Sequence, residues 1–208
     1  MAESAASARI TPTFALRAIA GRIHRTPVMQ SRSLNRLTGL DLVFKCEQLQ
    51  RTGSFKFRGA TFAVSRLPAE CPGVATHSSG NHGAALAAAA AARGLAADVV
   101  MPENAVADKV AAVRAYGGTV HVCEPTQQAR EAGLAKLIDD GRVPIPPYDH
   151  DDVIAGQGTC GVELLAQRPD IDDIVAPIGG GGLLAGLTLA AAQLAPQVRV
   201  TGGEIGRA

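Results

Sequence analysis

Lys56 stands between two phenylalanines in the run Thr52, Gly53, Ser54, Phe55, Lys56, Phe57, Arg58, Gly59, Ala60. Ser54 can cap a helix whose first turn would carry the lysine. An apolar setting and the positive end of a helix both disfavour an ammonium ion, so this lysine is a candidate for the neutral amine that imine formation requires. The alternative is a stem packed on Phe55 with its head in water, the commoner fate of a lysine. Gly179, Gly180, Gly181 and Gly182 stand between an apolar strand pattern and an apolar helix pattern. Four glycines free successive N–H groups to face an anion, and the following helix adds its positive end. The run matches neither common nucleotide-binding glycine pattern, so a tight strand-to-helix turn is the competing reading. A third group, His77, Ser78, Ser79, Gly80, Asn81, His82, Gly83, gathers hydroxyls, an amide and free N–H groups ahead of an alanine-rich helix. It suits a carboxylate; otherwise it is a polar loop whose serine caps the helix.

These groups need elements to place them. Residues 98–102 read as a strand, 109–116 as a helix stopped by Gly117 and Gly118, and 119–122 as another strand. Residues 172–178 give a further strand and 183–195 an apolar helix. The alanine-rich run after Gly83 predicts a buried helix, because alanine is the best helix former. Thr11 and Pro12 resemble a cap followed by proline at the first helical position, and residues 25–28 break out into extended chain. Alternating short strands and helices imply an α/β fold with parallel βαβ units.

The 208 residues are 47% hydrophobic and 19% charged, ample for a packed core. A net charge of +1, scattered along the chain, gives no field to favour nucleic acid or an anionic membrane. The first eight residues carry no basic start or apolar core of a secretory signal, and no apolar stretch reaches the ~20 residues of a bilayer span. A cytoplasmic protein is expected. Cys46, Cys71, Cys123 and Cys160 stand far apart with no C-x-x-C pair, as suits reduced thiols.

Together the wordings T-G-S-F-K-F-R-G-A, H-S-S-G-N-H-G and P-I-G-G-G-G-L, with Phe44, Lys45, Cys46, Glu47 and the run 153–159, resemble fold-type II pyridoxal 5'-phosphate (PLP) enzymes. The likeness is to the serine/threonine dehydratase (threonine ammonia-lyase) and serine racemase branch, and it runs from about Thr11 to the end. Phe57 and His82 separate the chain from the sulfhydrylase and threonine synthase wordings. The resemblance implies two domains with parallel-type sheets flanked by helices: residues 53–147 as a small α/β domain, and 1–52 with 148–208 as a partial large PLP-binding domain. The active site is expected in the cleft between them.

By this likeness Lys56 would hold PLP as an imine and shuttle the proton at Cα. Asn81 would bond the cofactor's 3-hydroxyl, while Gly179, Gly180, Gly181, Gly182 and Leu183 would cradle its phosphate. Ser78, Ser79, Asn81 and His82 would surround the substrate carboxylate, and Ser79 matches the opposite-face acid/base of the racemases. The implied reaction is deamination of L-threonine or L-serine to 2-oxobutanoate or pyruvate plus ammonia. The aromatic-plus-acidic stretch from Tyr148 to Asp152 favours dehydratases over the mammalian racemases. A serine racemase-like activity is the alternative, and a truncated noncatalytic remnant that acts in binding or assembly is the alternative of another class. Glu204 aligns with a family carboxylate that ligates a divalent cation, Mg or Ca. The family continues past Ala208, which implies an incomplete large domain, an open sheet edge and a self-associating homo-oligomer of low turnover.

Overall fold

A computed structural model describes residues 10–204 and 206. In chain order the elements are α1 (Pro12–Ile19), β1 (Val28–Gln30), α2 (Arg32–Thr38), β2 (Val43–Lys45), α3 (Lys56–Ser65), β3 (Val74–His77), α4 (Asn81–Ala91) and β4 (Ala97–Pro102). They continue as α5 (Ala107–Ala115), β5 (Thr119–Cys123), α6 (Gln127–Asp139), β6 (Val143–Pro144), α7 (Asp151–Gln167), β7 (Asp173–Pro177), α8 (Gly182–Leu194) and β8 (Arg199–Gly203).

Four strands form a parallel sheet in the order β5-β4-β3-β6, with Val99 opposite both Thr76 and Val120. β4 is buried at all six residues, as a parallel strand covered by helices on both faces must be. β7 and β8 form a separate parallel pair, and β1 and β2 an antiparallel one. The α/β architecture with parallel sheets flanked by helices is therefore the one the alternating pattern predicts. Thr11 caps α1 by accepting from the Phe14 N–H, with Pro12 at the first helical position. The alanine-rich α4 is buried along most of its length. Residues 53–147 contain the four-stranded sheet, and the two smaller sheets lie in the flanking segments. All four cysteines are free, and burial pushes the Cys160 thiol up to about 12. No described helix is long and apolar enough to cross a membrane.

Two features differ from the sequence reading. α7, the longest helix at 17 residues, goes unread, because Gly156, Gly158 and Gly161 lower its intrinsic helix propensity. Their purpose is close approach. A Cβ on Gly156 would stand 2.6 Å from the Gly59 Cα on α3, and one on Gly158 2.6 Å from the Gly186 carbonyl on α8. α7 thus carries α3 on one side and α8 on another at near backbone contact. The second difference is Ser54. It does not cap α3: its buried hydroxyl has no partner, and Phe55 occupies the cap position without a side-chain bond. The chain reaches α3 instead through a turn in which Thr52 (φ 62) and Gly53 (φ 75) both take left-handed backbone. That conformation is routine for glycine and costly for threonine.

A buried ionic cluster fastens α3 to α7 beyond the glycine contact. Arg58 is fully buried and donates to Glu47 through Nε at 2.7 Å and to Glu163 through Nη1 at 2.9 Å. Lys45 adds a 2.7 Å bond to Glu163. Burial alone would lower the Arg58 pKa, but its bonds to Glu47 and Glu163 outweigh that and raise it. Glu163 stays below the usual carboxylate range despite burial, because Arg58 and Lys45 bond it.

Candidate active site

Lys56, the first residue of α3, and the glycine run 179–182, at the start of α8, line one cavity of about 210 Å³. Its other walls are Phe55, Pro177, Ile178, Leu183 and Leu184. The two motifs lie over a hundred residues apart in sequence, and α7 brings them together by packing on both their helices. The Lys56 amine lies 5.3 Å from the centre of the Phe55 ring and donates to the Pro147 carbonyl at 2.6 Å. Burial lowers its pKa, which raises the share of neutral amine.

The glycine run offers donors and no side chains. Gly181 adopts φ +83 as the cap residue of α8, and a Cβ on Gly179 or Gly181 would meet nothing within 4 Å. Among the described residues no backbone acceptor takes the N–H of Gly179, Gly180 or Gly181. Free N–H groups at the positive end of a 13-residue helix form a fitting seat for a phosphate. A nearby amine of reduced basicity completes what PLP requires: a nucleophile for its aldehyde and a cradle for its anion.

The loop 77–83 follows β3, one strand from the sheet edge. Ser79 and Asn81 are exposed on it. The Ser78 hydroxyl accepts from the N–H groups of Gly80 and Gly83 at 3.2 Å each, so it shapes the loop and opens α4. Asn81 Oδ1 accepts from Lys109 Nζ at 2.5 Å. The His82 side chain does not face the loop's open side: it is 2% exposed, and its Nε2 donates to the Ile145 carbonyl at 2.9 Å. Its other ring nitrogen, Nδ1, is buried without a partner. Burial, with the nearby Lys56 and His77, depresses His82 to about 4, so its ring is neutral at neutral pH.

Glu204 is exposed just beyond β8, and among the described residues no three His, Cys, Asp or Glu side chains gather to share an ion. The sequence reading missed the Pro147 carbonyl, Lys109 and the Arg58 cluster. Lys109 and the cluster had no spacing signal, since their partners lie 11 to 118 residues away. The consecutive Pro146 and Pro147 were a readable signal of rigid chain beside the site. A wider concavity of about 1040 Å³ lies elsewhere, between α1, α7 and α8, and does not include Lys56.

Comparison with known proteins agrees with this geometry. The family described as "Pyridoxal-phosphate dependent enzyme" matches residues 19–206. A serine racemase of Arabidopsis thaliana is 50% identical over 185 residues, covering 88% of this chain and 56% of that protein. A beta-hydroxyaspartate dehydratase of Paracoccus denitrificans (strain Pd 1222) is 49% identical, covering 88% and 59%. Among solved structures, maize serine racemase superposes with a TM-score of 0.91 at 43% identity, covering 93% of this chain and 60% of that one. The threonine deaminase of T.th. gives 0.88 at 44% identity, covering 93% and 63%. The chain spans less than two thirds of the length of each of these relatives.

Proposed function

The chain belongs to the pyridoxal-phosphate dependent enzyme family, and on that premise we propose that it serves the PLP-dependent deamination of L-threonine or L-serine. The observation that carries this reading is the shared cavity of Lys56 and the glycine run, with a desolvated amine at one wall and unpaired N–H groups at another. When bound, PLP supplies an electron sink that makes the Cα–H of an amino acid acidic.

The chain's own residues would do the rest. Gly179, Gly180, Gly181, Gly182 and the N–H of Leu183 would hold the phosphate, and the Phe55 ring and Leu184 would keep water from that end of the cavity. Lys56 would hold the cofactor and then take the proton from Cα, a role helped by the burial that lowers its pKa. Asn81 would bond the cofactor's 3-hydroxyl. Ser78, Ser79, Asn81 and the His82 backbone would receive the substrate carboxylate at the start of α4. Ser79, exposed on its loop, would exchange a proton on the face opposite Lys56. Loss of the β-hydroxyl as water, followed by hydrolysis, gives ammonia with 2-oxobutanoate from threonine or pyruvate from serine.

Racemisation of serine is the second reading, favoured by the 50% identity to a serine racemase. One experiment separates the two. The PLP-loaded protein is given L-serine and L-threonine, 2-oxo acids are followed by reduction with a dehydrogenase, and serine enantiomers are resolved by chiral chromatography. The proposal expects 2-oxo acid and ammonia in equal amounts; D-serine in excess of pyruvate would give the racemase reading its place. Neither product, in a protein that takes up PLP, would leave the noncatalytic alternative.

A further inference from the structure

The segment 145–149, between β6 and α7, touches three separate parts of the site. The Ile145 carbonyl accepts from His82 Nε2 at 2.9 Å, and the Pro147 carbonyl accepts from Lys56 Nζ at 2.6 Å. Tyr148 lies against the glycine run. A Cβ on Gly180 would collide with Cδ1 and Cγ of the Tyr148 ring, and one on Gly182 would stand 3.3 Å from Tyr148 Cα and Cβ.

The four glycines therefore divide into two kinds. Gly179 and Gly181 point their missing side chains into open space, whereas Gly180 and Gly182 turn theirs toward Tyr148. An anion cradle alone would account for the first kind, because open space around the backbone admits a ligand. It does not account for the second, where the space is filled by Tyr148, its ring against Gly180 and its Cα and Cβ against Gly182. Asp149, next in sequence, holds φ +45, a backbone conformation uncommon outside glycine that surrounding structure must enforce. With Pro146 and Pro147 fixed in φ on the other side, Tyr148 sits on a stiff support.

We infer that Tyr148 is the positioning residue of the anion cradle: its ring backs Gly180 and its Cα and Cβ back Gly182, so that the unpaired N–H groups of the run keep the spacing a phosphate needs. The same segment holds Lys56 through Pro147, so the amine and the cradle are set by one stretch of chain. The inference rests on the PLP reading of this site and deepens it. The Tyr148 hydroxyl makes no hydrogen bond among the described side-chain contacts, so the ring and not the phenol is the working part.

The test compares PLP with pyridoxal, which carries the same aldehyde and lacks the phosphate. Affinities are read by absorbance titration, with urea unfolding as the check on folding. Tyr148→Ala should weaken PLP by about tenfold or more, a loss typical of groups displaced by a fraction of an ångström, and leave pyridoxal within about twofold. Tyr148→Phe should restore the wild-type ratio. Gly180→Ala should produce the same phosphate-selective loss by pushing against the ring, and the double variant should be no worse than Gly180→Ala alone. The double variant also covers the case in which Tyr148→Ala alone is poorly folded. If wild type binds PLP but Tyr148→Ala weakens both ligands equally or neither, this assignment falls while the cofactor reading stands. If wild type takes up no PLP, the cofactor reading fails and this one with it.

Discussion

β4, inside the four-stranded sheet, is buried at all six residues, whereas β7 alternates and leaves Val175 73% exposed. The first sheet has helices on both faces; the second has α8 packed on one side and nothing over Val175 among the described residues. Yet the proposed chemistry is divided between them. Lys56 and the loop 77–83 lie on the helices beside the closed sheet, and the proposed anion cradle opens α8 beside the sheet with the bare face. The Lys56 amine and the proposed cradle therefore have different supports, so the joint between them matters as much as either. That joint is α7, held to α3 by Gly156, Gly59 and the Arg58 cluster and to α8 by Gly158 and Gly186.

The largest expected effect is all-or-none and falls on the closed unit's contribution. Borohydride treatment of the PLP-loaded protein should fix the cofactor to Lys56, and Lys56→Ala should abolish the adduct in peptide mapping. Lys45 is held by Glu163, Gln167 and the Thr26 carbonyl, and Lys109 by Asn81, and neither lines the cavity that Lys56 shares with the glycine run. An adduct on either would break the assignment.

Next is the joint. Arg58→Met leaves Glu47 and Glu163 facing each other in a buried site with only Lys45 to offset them. Removing one partner of a buried ion pair costs about 3–5 kcal/mol, and urea unfolding should show a loss of that size. A loss under about 1 kcal/mol would mean the cluster is not what unites the two units.

The closed unit's interior should also show in a pH dependence. His82 is neutral when folded because its pKa falls from 6.5 to about 4 on burial. A depressed folded pKa means the unfolded chain binds the proton first, so stability is present above about 6.5 and is lost as pH falls toward 4. At 1.36 kcal/mol per unit the full loss is about 3 kcal/mol. Half-buried His77, lowered by burial and Arg130, acts in the same direction. Unfolding midpoints at pH 7 and pH 5 should therefore differ in wild type and differ much less in His82→Gln. An unchanged slope in that variant would place the titrating group elsewhere.

What was legible in the sequence follows the same division. β4, β5, α5 and α8 were readable because their patterns come from local rules: apolar runs, glycine stops, alanine propensity. Lys56 and the glycine run were readable as chemistry because neighbours alone made them unusual. α7 was not, since its glycines look like helix breakers until Gly59 and Gly186 lie against them. Ser54 misled for a related reason: its type suits a cap, but Thr52 and Gly53 turn the chain so that its hydroxyl meets nothing. Residues that work on distant partners, such as Arg58 on Glu163 or Tyr148 on Gly180, leave no local periodicity to read.

The smallest expected effect concerns the bare face, and it tests whether exposure there has a consequence. Val175 projects from β7 between Ile174 and Ala176, which are buried under α8, so the alternation of a strand puts it on the uncovered side. β8 pairs with β7 on one side, and the described residues offer no strand beyond either. An apolar residue on an open two-stranded sheet is a surface that a second copy can cover, by stacking or by edge pairing. Self-association that rises with concentration in sedimentation velocity is the expected behaviour. Val175→Lys should lower it by placing a charge on the stacking face, while shifting unfolding stability by less than about 0.5 kcal/mol, as surface changes do. The corresponding change on the closed unit has no such outlet: Val99→Lys would bury a charge among apolar groups and unfold the sheet. Equal association of wild type and Val175→Lys would show that copies meet through the groove between α1 and α8 or through a sheet edge, and the contrast between a closed and an open unit would then have to be redrawn around that surface.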